Sequence, residues 1–321
     1  MPTQIPSKQI IEAAHIRIAP YIHRTAVLQS KQINEILNCS IFFKCENFQK
    51  VGAFKSRGAV NAVFSLKEEE LIKGVCTHSS GNHAQALARA AALAKVQAHI
   101  VMPNNAPKVK IAAVENYGGK IYFCKPTQAD REKTLEKVIL ETDATFIHPY
   151  NNLEVIAGQS TAAKELISEI PNLDIIIAPV GGGGLLSGTA LSSFYFGNNI
   201  KVIGAEPKNA DDAYLSFHSG EIHPSNDPQT MADGLLTSLG DITFPIIQKH
   251  VEQILVCQEE TIINAMKLIY ERLKIVIEPS SAVALAVVME NPDMFKNKKL
   301  GIILSGGNVD LSGFFESLLD A

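Results

Sequence analysis

The sequence lacks several features that would place the chain in a special class of protein. Its 29 basic and 33 acidic residues give a net charge of −4, so there is no basic excess for binding nucleic acid or a membrane surface. No apolar run approaches the ~18 residues that span a membrane. The N-terminal segment has no apolar core of a signal peptide. We therefore expect a cytoplasmic protein with no nucleic-acid and no membrane partner.

Cysteines are few, and their spacing does not suggest ligands. The five cysteines stand at positions 39, 45, 76, 124 and 257. Their number is odd, no two form a C-x-x-C pair, and no histidine cluster accompanies them. This pattern disfavours a disulfide framework or a zinc site. We expect buried free thiols in a reducing compartment.

The apolar pattern predicts an α/β fold. Hydrophobic residues are 46% of the 321 residues and charged residues 19%, as in a globular chain of one large domain or two lobes. Continuous apolar runs between helical patterns are typical of βαβ units with parallel sheets buried on both faces. Strands are predicted at 41–46, 73–79, 98–103, 119–124, 144–149, 174–180, 201–206 and 299–307. Helices are predicted at 83–95, 107–117, 129–142, 158–169, 184–196, 259–274 and 280–290.

A small lobe is predicted inside a larger one. The stretch 75–148 holds about four strands with helices between them, and no Pro/Ser linker, low-complexity tract or repeat interrupts the chain. We expect a small domain at 73–149 inserted into a large discontinuous domain of residues 1–72 and 150–321. Ligands of open α/β sheets bind at the carboxyl ends of strands. The candidate sites are therefore the points where predicted strands run into Gly, Ser or Asn.

Four successive glycines follow one of these strands and precede a predicted helix. They are Gly181, Gly182, Gly183 and Gly184. Without Cβ atoms, successive backbone N–H groups can turn inward, and the start of a helix attracts anions. The pattern indicates a phosphate site, although it matches neither the dinucleotide nor the P-loop motif. The alternative interpretation is a tight strand-to-helix turn.

Two further segments place polar side chains at helix starts. Residues 79–83, SSGNH, offer hydroxyl and amide groups to a carboxylate or phosphate; the alternative is ordinary helix capping. Lys55, in the segment GAFKSRG, stands beside an aromatic residue and small residues. Partial desolvation would lower its pKa towards neutrality, as a Schiff-base or general-base lysine requires. The alternative is a solvated surface lysine.

The fourth segment is SGGN at 305–308, which ends a predicted apolar strand. The hydroxyl of Ser305 can form a neutral hydrogen bond to a heteroaromatic nitrogen; the alternative is a strand-ending turn. Together the four segments offer a phosphate cradle, a carboxylate pocket, an amine and a neutral ring partner. Pyridoxal phosphate with an amino-acid substrate requires this set.

The chain resembles the fold type II pyridoxal-phosphate enzymes, and among them the serine racemases and the serine/threonine dehydratases. The residues that carry the resemblance cover nearly the whole chain in the family's order. They are ENFQKVGAFKSRGA, SSGNHAQALA, IAGQ, PVGGGGLLSG, AEPKNADD, MADG, IEPSSA and LSGGNVD. The resemblance implies two lobes with open, mostly parallel sheets flanked by helices, as in the tryptophan synthase β chain.

The resemblance also implies roles for the residues that match. Lys55 would bind the cofactor covalently and act as the base on one face of the substrate, with Ser80 as the second acid/base on the other face. Arg131 would contact the substrate from the small domain. The remaining cofactor residues would be Phe54, Asn82, Gly181, Gly182, Gly183, Gly184 and Ser305. The substrate-carboxylate pocket would contain Ser79, Ser80, Asn82 and His83.

Two additional sites are implied by resemblance only. Glu206, the carbonyl of Ala210 and Asp212 match a divalent-cation site, and their oxygens suit Mg²⁺ or Ca²⁺; from the residues alone they form an acidic surface loop. ATP would bind as an allosteric activator at the interface of a homodimer. The matching positions are Lys50, Gln85, Lys110, Tyr117, Lys274 and Asn308, each an ordinary polar residue when taken alone.

The implied activity is racemisation of serine with accompanying β-elimination to pyruvate and ammonia. One alternative is a dehydratase for threonine, serine or 3-hydroxyaspartate with little racemisation. Another is a non-catalytic binding or regulatory protein of the same fold, which the presence of Lys55 and Ser305 disfavours. Tyr150 and Ala84 depart from the racemase pattern, and both departures favour a dehydratase component.

Overall fold

The computed structural model describes residues 5–106 and 108–310, and these residues contain two open sheets. The larger sheet has the order β1-β2-β10-β7-β8-β9, and the smaller has the order β5-β4-β3-β6. Every neighbouring pair is parallel except β1 and β2. The larger sheet contains β1 (Val27–Leu28), β2 (Ser40–Cys45), β7 (Ile175–Pro179), β8 (Lys201–Pro207), β9 (Gln253–Cys257) and β10 (Lys299–Leu304). The smaller sheet contains β3 (Val75–His78), β4 (Ala98–Pro103), β5 (Lys120–Cys124) and β6 (Thr145–Phe146).

Helices connect the strands and cover the sheets. In the first half of the described chain they are α1 (Lys8–Ile18), α2 (Lys31–Leu37), α3 (Lys55–Phe64), α4 (Glu68–Leu71), α5 (Asn82–Ala94), α6 (Lys108–Asn116) and α7 (Gln128–Thr142). In the second half they are α8 (Leu153–Glu169), α9 (Gly184–Phe196), α10 (Asp212–Ser219), α11 (Thr243–His250), α12 (Glu259–Leu273), α13 (Pro279–Glu290) and α14 (Pro292–Phe295). None of these helices is both long and apolar enough to cross a bilayer. The five cysteine side chains are buried and free.

The predicted α/β fold class is confirmed, and several predicted bounds are corrected. Helix α8 begins at Leu153 rather than at 158, because the side chain of Asn152 caps it by accepting hydrogen bonds from the backbone at Glu154 and Val155. Strand β6 is far shorter than the predicted 144–149, because the chain turns at His148. The Nδ1 atom of His148 accepts hydrogen bonds from the backbone N–H groups of Tyr150 and Asn151. The domain limits at 72/73 and 149/150 remain a prediction.

Strands β1 and β9 were not predicted. Strand β9 has an apolar run of only four residues, 254–257, and of its five residues only Ile254 and Cys257 are buried. It lies at the edge of the larger sheet, beside β8. An edge strand has a partner on one side only and needs less apolar sequence.

A group of buried charges joins α3 to the rest of the large lobe. All five N–H donors of Arg57 are used: Nε and Nη2 reach Glu46 at 2.7 and 2.8 Å, both Nη atoms reach Glu165 at 2.9 Å, and Nη1 also reaches Thr161 at 3.0 Å. Lys44 also pairs with Glu165 at 2.7 Å. The buried group therefore contains two acidic and two basic side chains, and their charges cancel. Burial alone would raise the pKa of Glu165, but its contacts with Arg57 and Lys44 lower it. These residues tie the end of β2, the start of α3 and the middle of α8 together.

Helices α3 and α8 also approach each other backbone to backbone. A Cβ atom at Gly158 would lie 2.6 Å from the carbonyl oxygen of Arg57, and one at Gly58 would lie 2.4 Å from the side chain of Gln159. The same Gln159 accepts a hydrogen bond from the backbone N–H of Gly58 at 3.1 Å. Only glycine permits this spacing, so the start of α3 has little freedom to shift.

Replacing Arg57 tests the buried charge group. Arg57→Met should lower the free energy of unfolding by about 3–5 kcal/mol, because Glu46 would be left buried without its cation. Urea unfolding followed by circular dichroism measures the change. Arg24→Met, which removes an exposed ion pair with Glu169, is the matched control and should change stability by less than ~0.5 kcal/mol. Equal stability of the two variants would contradict the structural role given to Arg57.

Candidate active site

A cavity of about 360 Å³ lies where the carboxyl ends of both sheets meet. Its walls include the segments that follow β3 and β6 of the smaller sheet and β7 and β10 of the larger one. All residues predicted to bind the cofactor or the substrate are among those that line it. They are Phe54, Lys55, Ser79, Ser80, Asn82, His83, Arg131, Gly181, Gly182, Gly183, Gly184 and Ser305. The structure thus brings together the four segments singled out in the sequence.

The four glycines form the turn from β7 into α9. Gly183 has a φ of +87°, which favours glycine, and α9 begins at Gly184 without a side-chain cap. Its first N–H groups therefore remain available to an anion. A Cβ atom at Gly182 would lie 2.3 Å from the ring of Tyr150, and one at Gly181 would lie 2.9 Å from Leu235. Neighbouring residues therefore pack closely against the loop, and its backbone can approach a phosphate directly.

Lys55 is the first residue of α3, and its amine projects into the cavity. Nζ donates a hydrogen bond to the carbonyl of Pro149 at 2.9 Å. It also lies 5.1 Å from the centre of the Phe54 ring. Burial lowers the pKa of Lys55 to about 8, against an opposing effect of the Glu278 carboxylate. A substantial fraction of the amine is therefore neutral near physiological pH and can act as a nucleophile or base.

The small-lobe wall is the turn from β3 into α5. Helix α5 has no side-chain cap, so its first N–H groups are open to a carboxylate. The Ser80 side chain makes no hydrogen bond to any described residue. His83 Nε2 donates to the carbonyl of Ile147 at 3.2 Å, while its Nδ1 is buried without a partner. Burial lowers the pKa of His83 well below its usual value, so the ring is neutral and Nδ1 is an acceptor.

Ser305 ends β10 and is almost fully buried in the cavity wall. Its hydroxyl lies 3.1 Å from that of Ser281. Ser281 donates its own hydrogen to the carbonyl of Gly306 at 2.6 Å, which leaves Ser305 as the donor of the pair. Ser305 has a single hydrogen, so it can offer a neutral hydrogen bond to a ring nitrogen only when its hydroxyl rotates away from Ser281.

Glu278 is a site residue that sequence analysis did not identify. It is 4% exposed, and both carboxylate oxygens accept from the amide of Asn82 at 3.0 and 3.1 Å. Burial raises the pKa of Glu278 to about 7. Asn308 in turn donates to the amide oxygen of Asn82 at 2.8 Å. An isolated acid inside the apolar segment IVIEPSSAVALAVV was the available signal.

Arg131 enters the cavity beside two histidines that were also not identified. Its Nε is buried without a partner. The charge of Arg131 helps to lower the pKa of His78, whose main cause is burial. His148 packs edge-on against Tyr150, with ring centres 4.5 Å apart, and burial lowers its pKa to about 4. This end of the cavity therefore holds one fixed cation and two neutral imidazoles.

The three predicted cation ligands lie near one another, outside the cavity lining. Glu206 is the penultimate residue of β8, and its two oxygens accept backbone hydrogen bonds from Ala213 and Tyr214 at 2.9 and 2.7 Å. Asp212 begins α10, is 5% exposed, and neither of its oxygens has a hydrogen-bond partner. Ala210 ends the short 3₁₀ turn between them. Within residues 5–106 and 108–310 no three His, Cys, Asp or Glu side chains converge, so a cation here would need carbonyl, hydroxyl or water ligands as well.

The six positions matched to a nucleotide site are not brought together in one cavity. Lys110 and Asn308 line the cavity of Lys55, and Lys110 pairs with Asp233 at 2.6 Å. The other four, Lys50, Gln85, Tyr117 and Lys274, are not among its lining residues. The ATP site and the homodimer remain predictions.

Comparisons with known proteins identify the family. Residues 18–306 match the family model described as pyridoxal-phosphate dependent enzyme. A serine racemase of Dictyostelium discoideum is 52% identical over 312 residues, 96% of each chain. A beta-hydroxyaspartate dehydratase of Paracoccus denitrificans is 50% identical over 307 residues, which are 96% of this chain and 98% of that protein.

Solved structures agree with the sequence matches. The maize serine racemase superposes with a TM-score of 0.95 at 44% identity, covering 99% of this chain and 98% of that one. The Dictyostelium discoideum serine racemase gives 0.91 at 51% identity, covering 95% and 99%. These matches confirm the resemblance to fold type II enzymes that the motifs suggested. The chain belongs to the pyridoxal-phosphate dependent enzyme family.

Proposed function

We propose that the protein is a pyridoxal-phosphate-dependent racemase of serine that also eliminates water from serine to give pyruvate and ammonia. The observation that supports this most is the presence of Lys55 and Ser80 in one cavity, on segments from different sheets. Racemisation needs a proton donor or acceptor on each side of the substrate. Two such groups held by two lobes meet that requirement.

The residues of the cavity fit pyridoxal phosphate. The glycine loop at the start of α9 would hold the phosphate, Ser305 would donate to the ring nitrogen, and Lys55 would attach the cofactor. When bound, the cofactor supplies an electron sink that makes the α-hydrogen of an amino acid acidic. A serine hydroxyl, unlike a carboxylate, would leave the ring nitrogen nearly neutral. The cofactor would then be a weaker electron sink, and the negative charge left by removal of the α-proton would be short-lived.

The substrate would be held by the small-lobe wall. The uncapped N-terminus of α5 and the hydroxyl of Ser79 would bind the α-carboxylate. Lys55, with a pKa of about 8, would accept the α-proton on one face. Ser80 would donate or accept a proton on the other face. Proton transfer to a base is efficient when the pKa of the base lies near the working pH, as it does for Lys55.

A second candidate is dehydration of 3-hydroxyaspartate. The unpartnered Nε of Arg131 at the cavity wall favours it, because a guanidinium binds a second carboxylate well. The similarity to the Paracoccus denitrificans dehydratase supports the same substrate. Serine and 3-hydroxyaspartate differ only in that carboxylate, so a comparison of kcat/KM for the two substrates decides between them.

We also propose that Glu206, the carbonyl of Ala210 and Asp212 bind Mg²⁺ or Ca²⁺. The two buried, unpartnered oxygens of Asp212 support this, because buried carboxylate oxygens are normally paired. Hard cations take six or more oxygen ligands, several of them waters. The site lies outside the cavity lining, so the cation would stabilise the fold rather than contact the substrate.

Lys55→Ala should abolish both reactions, because Lys110, the other lysine among the described residues that line the cavity, is paired with Asp233. Chiral chromatography of serine and a pyruvate assay measure the two activities. Lys31→Ala, on the exposed start of α2, is the control and should keep the wild-type rates. Normal pyruvate production by Lys55→Ala would refute the site assignment.

Ser80→Ala separates the two reactions. Lys55 can still remove the α-proton of L-serine, so part of the pyruvate formation should remain. Conversion between L- and D-serine should fall by ~10²–10⁴-fold, the usual contribution of a general acid or base. Ser40→Ala, at an exposed strand end, serves as the control. If Ser80→Ala racemises serine at the wild-type rate, Ser80 is only a helix-start residue and the two-group scheme fails.

Asp212→Ala tests the cation site. In the wild-type protein Mg²⁺ or Ca²⁺ should raise the melting temperature, because a ligand that binds only the folded state stabilises it. The variant should show no such rise, whereas Asp293→Ala on the exposed start of α14 should respond as the wild type does. A variant that still responds fully would place the cation elsewhere.

A further inference from the structure

The hydrogen bonds of His148, a residue of the cavity wall, determine which of its ring nitrogens carries the hydrogen. Nδ1 accepts from the backbone N–H groups of Tyr150 and Asn151 at 3.3 and 2.9 Å. Burial, helped by the neighbouring His78 and Lys55, lowers the pKa of His148 to about 4, so the ring is neutral near physiological pH. In a neutral imidazole one nitrogen accepts and the other carries the hydrogen. Nε2 of His148 is therefore an N–H donor.

Neighbouring rings hold the His148 ring in this orientation. It packs edge-on against Tyr150, Phe146 and His78, with ring centres 4.5, 5.7 and 6.1 Å apart. A half-turn of the ring would also take Nδ1 away from the two backbone N–H groups of the turn and leave them without their acceptor. The position of Nε2 is thus fixed on the side of the ring opposite the turn.

The Nε2 atom of His148 is open to the space inside the cavity. No described residue accepts a hydrogen bond from it, and it is not among the fully buried polar atoms of the described residues that lack a partner. Lys55 approaches the same space, since its Nζ donates to the carbonyl of Pro149, the residue after His148. The donor and the amine therefore face one substrate position.

The other walls of the cavity indicate which part of a substrate would meet Nε2. In the function proposed above, the starts of α9 and α5 bind the phosphate and the α-carboxylate, and Lys55 takes the α-proton. The end of the cavity that holds Arg131, His78 and His148 is left for the substituents on Cβ. Serine and 3-hydroxyaspartate both carry a hydroxyl on that carbon.

We propose that the Nε2–H of His148 donates a hydrogen bond to the β-hydroxyl of the substrate and assists its departure in the elimination. The inference rests on the proposed function and holds for either of its candidate substrates.

The hydrogen bond would act in one of the two reactions only. In the elimination the electron pair of the Cα–H bond forms the Cα–Cβ double bond, and the Cβ–O bond breaks. The oxygen keeps the electron pair of that bond and leaves as water, with the proton that Lys55 took from Cα. A fixed N–H donor stabilises the negative charge that develops on the oxygen. Racemisation leaves the Cβ–O bond intact, so it gains nothing from this donor.

Two substitutions at position 148 separate the donor from the turn. The amide oxygen of asparagine reaches the position of Nδ1 and can keep the backbone hydrogen bonds, but asparagine places no donor at the position of Nε2. His148→Asn should therefore lower elimination from L-serine by about 10²-fold, while racemisation stays near the wild-type rate. The longer glutamine places its amide N–H near the position of Nε2, so His148→Gln should recover part of the loss. His23→Asn changes an exposed histidine whose Nδ1 also contacts the backbone, and as the control it should keep both rates.

Elimination from 3-chloro-L-alanine distinguishes help to the leaving oxygen from a structural effect. Chloride leaves without taking up a proton, so His148→Asn should release pyruvate from 3-chloro-L-alanine at nearly the wild-type rate. Equal losses with L-serine and 3-chloro-L-alanine would overturn the inference, since a distorted site slows both reactions. An unchanged rate with L-serine would overturn it as well. If the wild-type protein eliminates water from neither L-serine nor 3-hydroxyaspartate, the proposed function fails, and the inference fails with it.

Discussion

The ion pairs that Arg57 forms with Glu46 and Glu165 fix the helix on which the active-site lysine stands. Arg57 lies two residues after Lys55 and is fully buried. It joins the end of β2, the start of α3 and the middle of α8, while Gly58 and Gly158 let the two helices meet backbone to backbone. A buried charge left without its partner is costly. The position of the Lys55 amine therefore follows from the packing of the large-lobe core.

The cavity combines two anion-binding helix starts with a partly desolvated amine. Helix α9 begins at the glycine loop in the large lobe, and α5 begins at the SSGNH turn in the small lobe. Both helices lack a side-chain cap, so their N–H groups are available to a phosphate and a carboxylate. The acid Glu278 is held between the amide of Asn82 and the backbone of Asn308. Binding of an anionic cofactor and an amino acid follows from this arrangement.

Local sequence patterns predicted eight of the ten strands in the described residues, the glycine loop and Lys55, because each depends on residues that are neighbours in the chain. Pairings between distant residues could not be predicted. Glu278 meets Asn82 across 196 positions, and this contact exists only after the two sheets have come together. Edge strand β9 was missed because its apolar run, residues 254–257, is only four residues long, and so short a run does not distinguish a strand from a helix. The start of α8 depends on a single asparagine cap, which a hydrophobic pattern does not reveal.

The attachment of the cofactor to Lys55 is the central claim, and chemical trapping measures it most directly. The cofactor-loaded protein is reduced with borohydride, digested and mapped by mass spectrometry. The account predicts a reduced pyridoxyl-phosphate group on the peptide that contains GAFKSRG, at Lys55 and on no other lysine. An unmodified Lys55, or the group on a different lysine, would contradict it.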